Sequence, residues 1–95
     1  MNEKMTKEKE KEYIFGLMVK DGVFEGKGIY YWNNGDRYEG DWKNGNKEGK
    51  GIYYYNDGDR YEGNWKNDKR EGKGIMYYND GRIENCYYMN GVRIN

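Results

Sequence analysis

The sequence predicts an all-β fold: a single elongated, twisted layer of antiparallel strands, arranged as a meander of tandem hairpins. The first observation is a repeat, since Tyr-Glu-Gly at 38–40 returns 23 residues later at 61–63. The second is a composition of 15 glycines and no proline. Glycine favours tight turns and costs about 1 kcal/mol relative to alanine inside a helix. A helical fold is therefore disfavoured.

The repeat has one register throughout the chain. Glu-Gly-Lys-Gly occurs at 25–28, 48–51 and 71–74, and Trp42 recurs as Trp65. This register divides an array at 15–95 into units 15–37, 38–60 and 61–83 and a half unit 84–95. About three units are needed before stacking becomes stable. The first unit is degenerate, and Phe15, Leu17 and Val19 stand in its Tyr, Gly and Trp columns.

Each unit is predicted to be a hairpin. Residues 28–32 are rich in β-favouring side chains, 33–35 are Asn-Asn-Gly, and 37–43 alternate with period two. A glycine at the end of such a turn favours a three-residue loop with a bulge. That loop would place Tyr30 opposite Tyr38 and Gly28 opposite Gly40. Rings and glycines would then share one face, where the glycines leave room for the rings.

The two strands of a hairpin differ in how polar their faces are. On the second strand Tyr38 and Trp42 point to one side, while the charged residues between and beyond them point to the other. On the first strand Tyr30 and Trp32 face one side and Ile29 and Tyr31 the other. We therefore expect both faces of the first strand to require cover.

The N-terminal segment 1–14 is charged and alternates Lys with Glu. This pattern is too polar for a core and is typical of a solvated helix or a tail. We therefore assign 1–14 to a short tail or helix outside the array.

Charge and cysteine content exclude several classes of function. Lys plus Arg and Asp plus Glu both number 17, so no net field attracts nucleic acid. The lone Cys86 can form neither an intrachain disulfide nor a structural zinc site. With no apolar stretch near the length of a membrane span or a signal peptide, we expect an intracellular protein, cytoplasmic or cytoskeletal, without metal or cofactor.

The residue inventory argues against catalysis. The chain contains no histidine and no serine, which removes the common nucleophile and base pairs. Carboxylates that recur at Asp36 and Glu39 flank Arg37, which favours charge-balanced strand surfaces over an acid/base dyad. Gly26-Lys27-Gly28 lacks the Lys-Ser/Thr and the helix of a phosphate loop. We expect a non-enzyme.

The pattern Tyr-Glu-Gly-x-Trp, then Gly-x-Gly, then Asp-Gly before the next Tyr-Glu-Gly resembles the MORN repeat. The resemblance covers 15–95. It departs from the family where the usual histidine before Gly-x-Gly is replaced by Glu25, Glu48 and Glu71. The family implies a curved β-sheet whose groove is lined by aromatic columns, and a scaffolding role in cilia, the cytoskeleton or junctions.

The resemblance implies that this chain is a protein-binding or scaffold subunit of a multiprotein assembly. The chain would hold a partner peptide or helix on its aromatic face. Exposed aromatic patches commonly mark interaction sites. The predicted partner-binding residues are Tyr30, Trp32, Tyr38, Trp42, Tyr53, Tyr55, Tyr61, Trp65 and Tyr78.

Two alternatives stay open. The family's proposed binding of phosphoinositides would use the column Lys27, Lys50 and Lys73, although each lysine follows a glutamate that weakens its field. A homodimer is the other alternative, formed through the sheet edge at 91–95, where the half unit leaves backbone groups unpaired.

Overall fold

The computed structural model describes the backbone of residues 13–15 and 18–20 and the full residues 23–95. The predicted N-terminal tail or helix lies outside these residues, except at 13 and 14. The described residues form nine strands. They are β1 Tyr13–Phe15, β2 Met18–Lys20, β3 Val23–Tyr31, β4 Arg37–Lys43, β5 Asn46–Tyr54, β6 Arg60–Lys66, β7 Lys69–Tyr77, β8 Ile83–Met89 and β9 Val92–Arg93.

The strands form one antiparallel sheet in which each strand from β3 onward pairs with the next strand in the chain. Both β1 and β2 pair with β3, and β9 forms the opposite edge. The principal extents are 48 × 30 × 20 Å, so the sheet is elongated. The predicted single-layer antiparallel meander is confirmed.

Two kinds of turn alternate along the meander. The first is the predicted three-residue loop, in which Trp32 N–H donates to Asp36 O at 3.0 Å and Gly35 N–H donates to Trp32 O at 3.1 Å. Gly35 has a φ of 99°, a conformation that favours glycine. The register that follows places Tyr30 opposite Tyr38, as predicted.

The second kind is a two-residue turn inside the units 38–60 and 61–83. Asn44 and Gly45 have φ values of 50° and 82°, and both positive angles are required by a type I′ turn. In the next turn Asp68 occupies the glycine position with a φ of 72°. Its carboxylate accepts a hydrogen bond of 2.8 Å from Lys47 N–H, which holds this turn against the preceding unit.

The first strand pairs one residue out of step with the repeat. Ile14 lies opposite Tyr30, whereas one repeat later Tyr38, in the column of Phe15, lies opposite Tyr53. The shift is confined to β1, because β2 pairs Val19 with Phe24 in the same register as Trp42 with Lys47. Elsewhere a tyrosine and its partner glycines fix the register, and the first unit lacks the Tyr-Glu-Gly triplet that would do so.

The core is a row of rings that crosses the sheet on one face. Adjacent rings meet edge to face, with centroids 5.2 to 5.6 Å apart and interplanar angles of 81° to 89°. This geometry is favourable for aromatic pairs. In order, this ring ladder consists of Trp42, Tyr38, Trp65, Tyr61 and Tyr88.

The glycine columns make room for the ring ladder, as predicted. A Cβ built on Gly51 would lie 2.1 Å from the hydroxyl oxygen of Tyr38. Gly74 has the same relation to Tyr61, also at 2.1 Å. The rings therefore lie against bare backbone, and a single layer of sheet buries both tyrosines completely.

Glutamates connect each unit to the next turn. The carboxylate of Glu25 accepts a hydrogen bond of 2.8 Å from Asn44 N–H, 19 residues ahead. The equivalent bonds are Asn67 N–H to Glu48 at 3.2 Å and Asn90 N–H to Glu71 at 2.8 Å. Charge-assisted bonds of this kind are stronger than neutral ones. The acidic column that replaces the family's histidine thus caps the turns.

Candidate functional site

Burial divides the nine predicted partner-binding aromatics into two groups. Four belong to the ring ladder, where Tyr38 and Tyr61 are 0% exposed and Trp42 and Trp65 are 6% exposed. These rings present almost no surface to a partner. The other five are half-buried and form an outer set, namely Tyr30, Trp32, Tyr53, Tyr55 and Tyr78.

Most of the outer set packs on the ring ladder from the loop side of the face. Trp32 stacks on Tyr53 with centroids 5.3 Å apart, and Tyr53 lies 4.8 Å from Tyr55. Tyr78 is placed differently, since its hydroxyl donates to Glu84 at 2.8 Å and the Arg82 guanidinium lies 4.2 Å from its ring. The continuous part of the outer set is therefore in the first two full hairpins.

A cleft opens in this aromatic face between the second and third units. Its volume is about 350 Å³. The residues that line this aromatic cleft include Tyr53, Tyr55, Trp65, Asp68, Lys69 and Arg70. Rings form its walls and charged groups lie at one end, so the cleft can accept an apolar side chain and hold a polar group beside it.

A largely buried lysine adjoins this cleft. The side chain of Lys47 is 13% exposed, and its Nζ lies 3.6 Å from the Asp68 carboxylate. Four rings, among them Trp32 and Trp65, have centroids 5.3 to 5.8 Å from this Nζ, within the range of cation–π attraction. Burial lowers the pKa of Lys47, and the nearby Asp68 opposes that shift.

The inward position that Lys47 occupies differs in each unit, and the sequence analysis did not single it out. It is Phe24 in the first unit and Arg70 in the third. The Arg70 guanidinium carbon lies 4.9 Å from the Tyr61 ring and its Nη1 donates to Tyr88 Oη at 2.9 Å. The repeat spacing of 23 residues identifies this column. Because its residue changes, the aromatic face is chemically different from unit to unit.

The phenols of the aromatic face are held in their neutral form. Burial raises the pKa of Tyr38 and Tyr53, and raises that of Tyr61 to about 12. Tyr53 also donates to Asp36 at 2.9 Å, which strengthens the shift. These hydroxyls are therefore protonated at neutral pH; those of Tyr38 and Tyr53 donate hydrogen bonds, and the Tyr61 ring acts as a packing group.

The predicted lysine column lies on the opposite face, and its lysines are not equivalent. Lys27 forms an ion pair of 2.8 Å with Asp41. The glutamates that precede these lysines accept the hydrogen bonds of the turns with their carboxylates. Lys50 and Lys73 line one cavity of about 580 Å³.

Within the described part of the chain, no three His, Cys, Asp or Glu side chains are grouped so that they could hold a metal ion. Among the same residues, no helix has the length and apolar character required to cross a membrane.

Comparison with known families agrees with this geometry. The model of the MORN repeat matches residues 18–37, 38–60 and 61–81, which is well over half of the chain. None of the curated proteins that were compared matched it. MORN repeats generally mediate binding to proteins or membranes and are generally not catalytic. With three matched repeats, hairpins in the expected register and a ring ladder on glycine columns, the chain belongs to the MORN repeat family.

Proposed function

We propose that this chain is a non-catalytic protein-binding subunit of a multiprotein assembly, which holds a peptide or a helix of its partner on the aromatic face. The observation that carries this proposal is the aromatic cleft, which combines half-buried rings with charged groups at its rim. Tyrosine and tryptophan are the residues that most often anchor protein interfaces.

The size and chemistry of the cleft favour a protein side chain as its occupant. A volume of about 350 Å³ is near the lower limit for small-molecule sites and holds one large apolar group. Asp68, whose side chain is 47% exposed, and the exposed Lys69 supply a polar rim of both signs. An apolar centre within a polar rim is the usual anatomy of a protein interface.

The proposed contacts are limited to the outer set of rings. Tyr38 and Tyr61 are covered by their neighbours, so they support the surface without touching a partner. Tyr55 is the best reporter, because it lines the cleft and packs on Tyr53 without belonging to the ring ladder.

The alternative, a phosphoinositide-binding adaptor that uses Lys27, Lys50 and Lys73, has weaker support. Each basic residue near an anionic membrane contributes about 1 kcal/mol. Lys27 is already engaged by Asp41, which leaves two lysines for the lipid. We therefore rank protein binding above lipid binding.

Quantitative affinity purification from the native source tests the proposal. The tagged chain is compared with Tyr55→Ser and with Tyr54→Ser, a matched control that removes the adjacent tyrosine, which packs against Arg37. We expect Tyr55→Ser to reduce the recovery of a specific partner at least tenfold and Tyr54→Ser to retain it. If both variants recover the same proteins as the parent, with thermal unfolding confirming that all three are folded, the aromatic face is not the binding surface.

A further inference from the structure

The face opposite the ring ladder carries a second feature, which comes from the unequal partners of the lysine column. In the sheet register Lys27 lies opposite Asp41, Lys50 opposite Asn64, and Lys73 opposite Tyr87. Lys27 thus forms an ion pair with Asp41, across the boundary between the first and second units. The equivalent partners of Lys50 and Lys73 are an amide, in the third unit, and a phenol ring, in the half unit.

The ammonium groups of Lys50 and Lys73 are consequently left without an ion-pair partner among the described residues. Lys50 and Lys73 stand on β5 and β7, separated by one strand, so their backbones are about 10 Å apart. Both line the cavity of about 580 Å³. The only acid that lines this cavity, within the described residues, is Glu62, and the Arg60 guanidinium lies 3.7 Å from its carboxylate.

The rest of the cavity is apolar or able to donate hydrogen bonds. Gly63 and Gly74 leave backbone bare between the two lysines, and Ile75 adds aliphatic surface. Tyr87 is 44% exposed and Asn85 is also exposed, at the side nearest β9. The site therefore combines two ammonium groups with an apolar wall.

We propose that this cavity, defined by Lys50, Lys73, Ile75, Asn85 and Tyr87, is a second docking site, which takes an acidic peptide segment of a partner protein. Two carboxylates of the segment pair with the two lysines, and a neighbouring apolar side chain of the segment packs on Ile75 and Tyr87. Charge-assisted hydrogen bonds to carboxylates are among the stronger polar contacts in proteins.

The same observations favour a peptide over a lipid surface. Each basic residue near an anionic membrane surface contributes about 1 kcal/mol of binding free energy, so two lysines supply too little for stable attachment. Glu39 and Glu62 are on the same face and would face an anionic membrane as well. A single peptide can place its carboxylates at the lysines and avoid both glutamates.

This site is independent of the aromatic cleft, because the two lie on opposite faces of the sheet. Together they would let one layer hold two different partner segments, with an acidic segment on one side and an apolar or aromatic anchor on the other.

The test is fluorescence anisotropy with the full chain and a labelled peptide in which Glu alternates with Leu. A matched peptide with Gln in place of Glu is the control ligand. We expect binding of the Glu peptide that weakens with added salt, and at least tenfold weaker binding of the Gln peptide.

Chain variants then locate the site. Asn64→Asp copies Asp41, the residue that the second unit has at this position, so it should fold and should lower the affinity at least fivefold by neutralising Lys50. Lys50→Gln combined with Lys73→Gln should abolish binding, whereas Lys27→Gln should leave it unchanged. Tyr55→Ser should also leave it unchanged, which separates this site from the aromatic cleft.

Three outcomes would overturn the proposal. The first is equal affinity for the Glu and Gln peptides. The second is an affinity that Asn64→Asp and the double lysine variant do not alter. The third is flotation with vesicles containing anionic lipid that depends on Lys50 and Lys73 while the Glu peptide does not bind, which would assign the lysines to a membrane.

Discussion

The side chain of Tyr38 lies so close to the backbone of Gly51 that a Cβ on Gly51 would stand 2.1 Å from the tyrosine hydroxyl oxygen. The same relation holds between Tyr61 and Gly74 one repeat later. A ring placed directly on backbone needs no second layer to be buried. This contact explains how an open sheet hides its largest side chains.

Gly51→Ala should destabilise the fold by more than the approximately 1 to 3 kcal/mol that overpacking commonly costs, because the obstructing ring is fully buried and cannot move aside. Urea unfolding monitored by tryptophan fluorescence measures the effect. Tyr38→Leu removes the atoms that would clash, so the alanine should cost at least 1 kcal/mol less in that background. Additive losses in the double variant would show that the ring does not set the requirement for glycine.

Tyr38 and Tyr61 offer a matched comparison of a satisfied and an unsatisfied hydroxyl. Tyr38 Oη donates to Asp41 O at 3.2 Å, whereas Tyr61 Oη is buried without a partner among the described residues. Tyr38→Phe should therefore lower the free energy of unfolding by about 1 kcal/mol. Tyr61→Phe should leave it unchanged or raise it. A larger loss of stability from Tyr61→Phe than from Tyr38→Phe, in thermal or urea unfolding, would contradict the assignment of Tyr61 as the hydroxyl without a partner.

Alkaline pH should unfold the chain through its tyrosines. Burial raises the folded-state pKa of Tyr38, Tyr53 and Tyr61, so the folded state retains protons that the unfolded state releases above about pH 10. Their contribution to stability is complete below that pH and is lost as the pH rises toward the folded values. Unfolding free energies measured from pH 8 to 11.5 should fall above pH 10, and Tyr61→Phe should reduce that fall. A flat profile in the parent chain would contradict the pKa shifts.

The acidic column should stabilise the turns through its hydrogen bonds. Glu71 accepts from Asn90 N–H at 2.8 Å, so Glu71→Ala leaves that donor without its acceptor. We expect a loss of about 1 to 2 kcal/mol. Glu71→Gln keeps an acceptor oxygen and should lose less than half as much. Equal losses in the two variants, measured by urea unfolding, would show that charge and not the hydrogen bond accounts for the effect.

Much of the fold follows from the sequence because its determinants are local and periodic. The three-residue loop depends on glycine at positions such as Gly35, and the alternation of Tyr38 and Trp42 fixes which face is buried. The placement of glycines under rings also follows, once Tyr30 is set opposite Tyr38. The offset of Ile14 does not follow, because the degenerate first unit lacks the Tyr-Glu-Gly triplet that accompanies the register of the later units.

The candidate sites depend on contacts between units, which the sequence indicates less directly. That Lys27 forms an ion pair with Asp41 becomes clear only when strands are paired in register. The burial of Tyr38 depends on Trp65 from the next unit, so no single repeat discloses it. The pairing of Lys27 with Asp41 can be predicted from residues that face each other across the hairpin, but not from residues that share a column.

The most direct test of partner binding on the aromatic face is photo-crosslinking with a benzophenone amino acid at position 55, and at position 54 as the control on the other face. Tyr55 lines the aromatic cleft, whereas Tyr54 packs against Arg37. We expect a discrete adduct with a second protein from position 55 and none from position 54. No adduct at 55 in the native assembly, or an adduct only with a second copy of this chain, would contradict it.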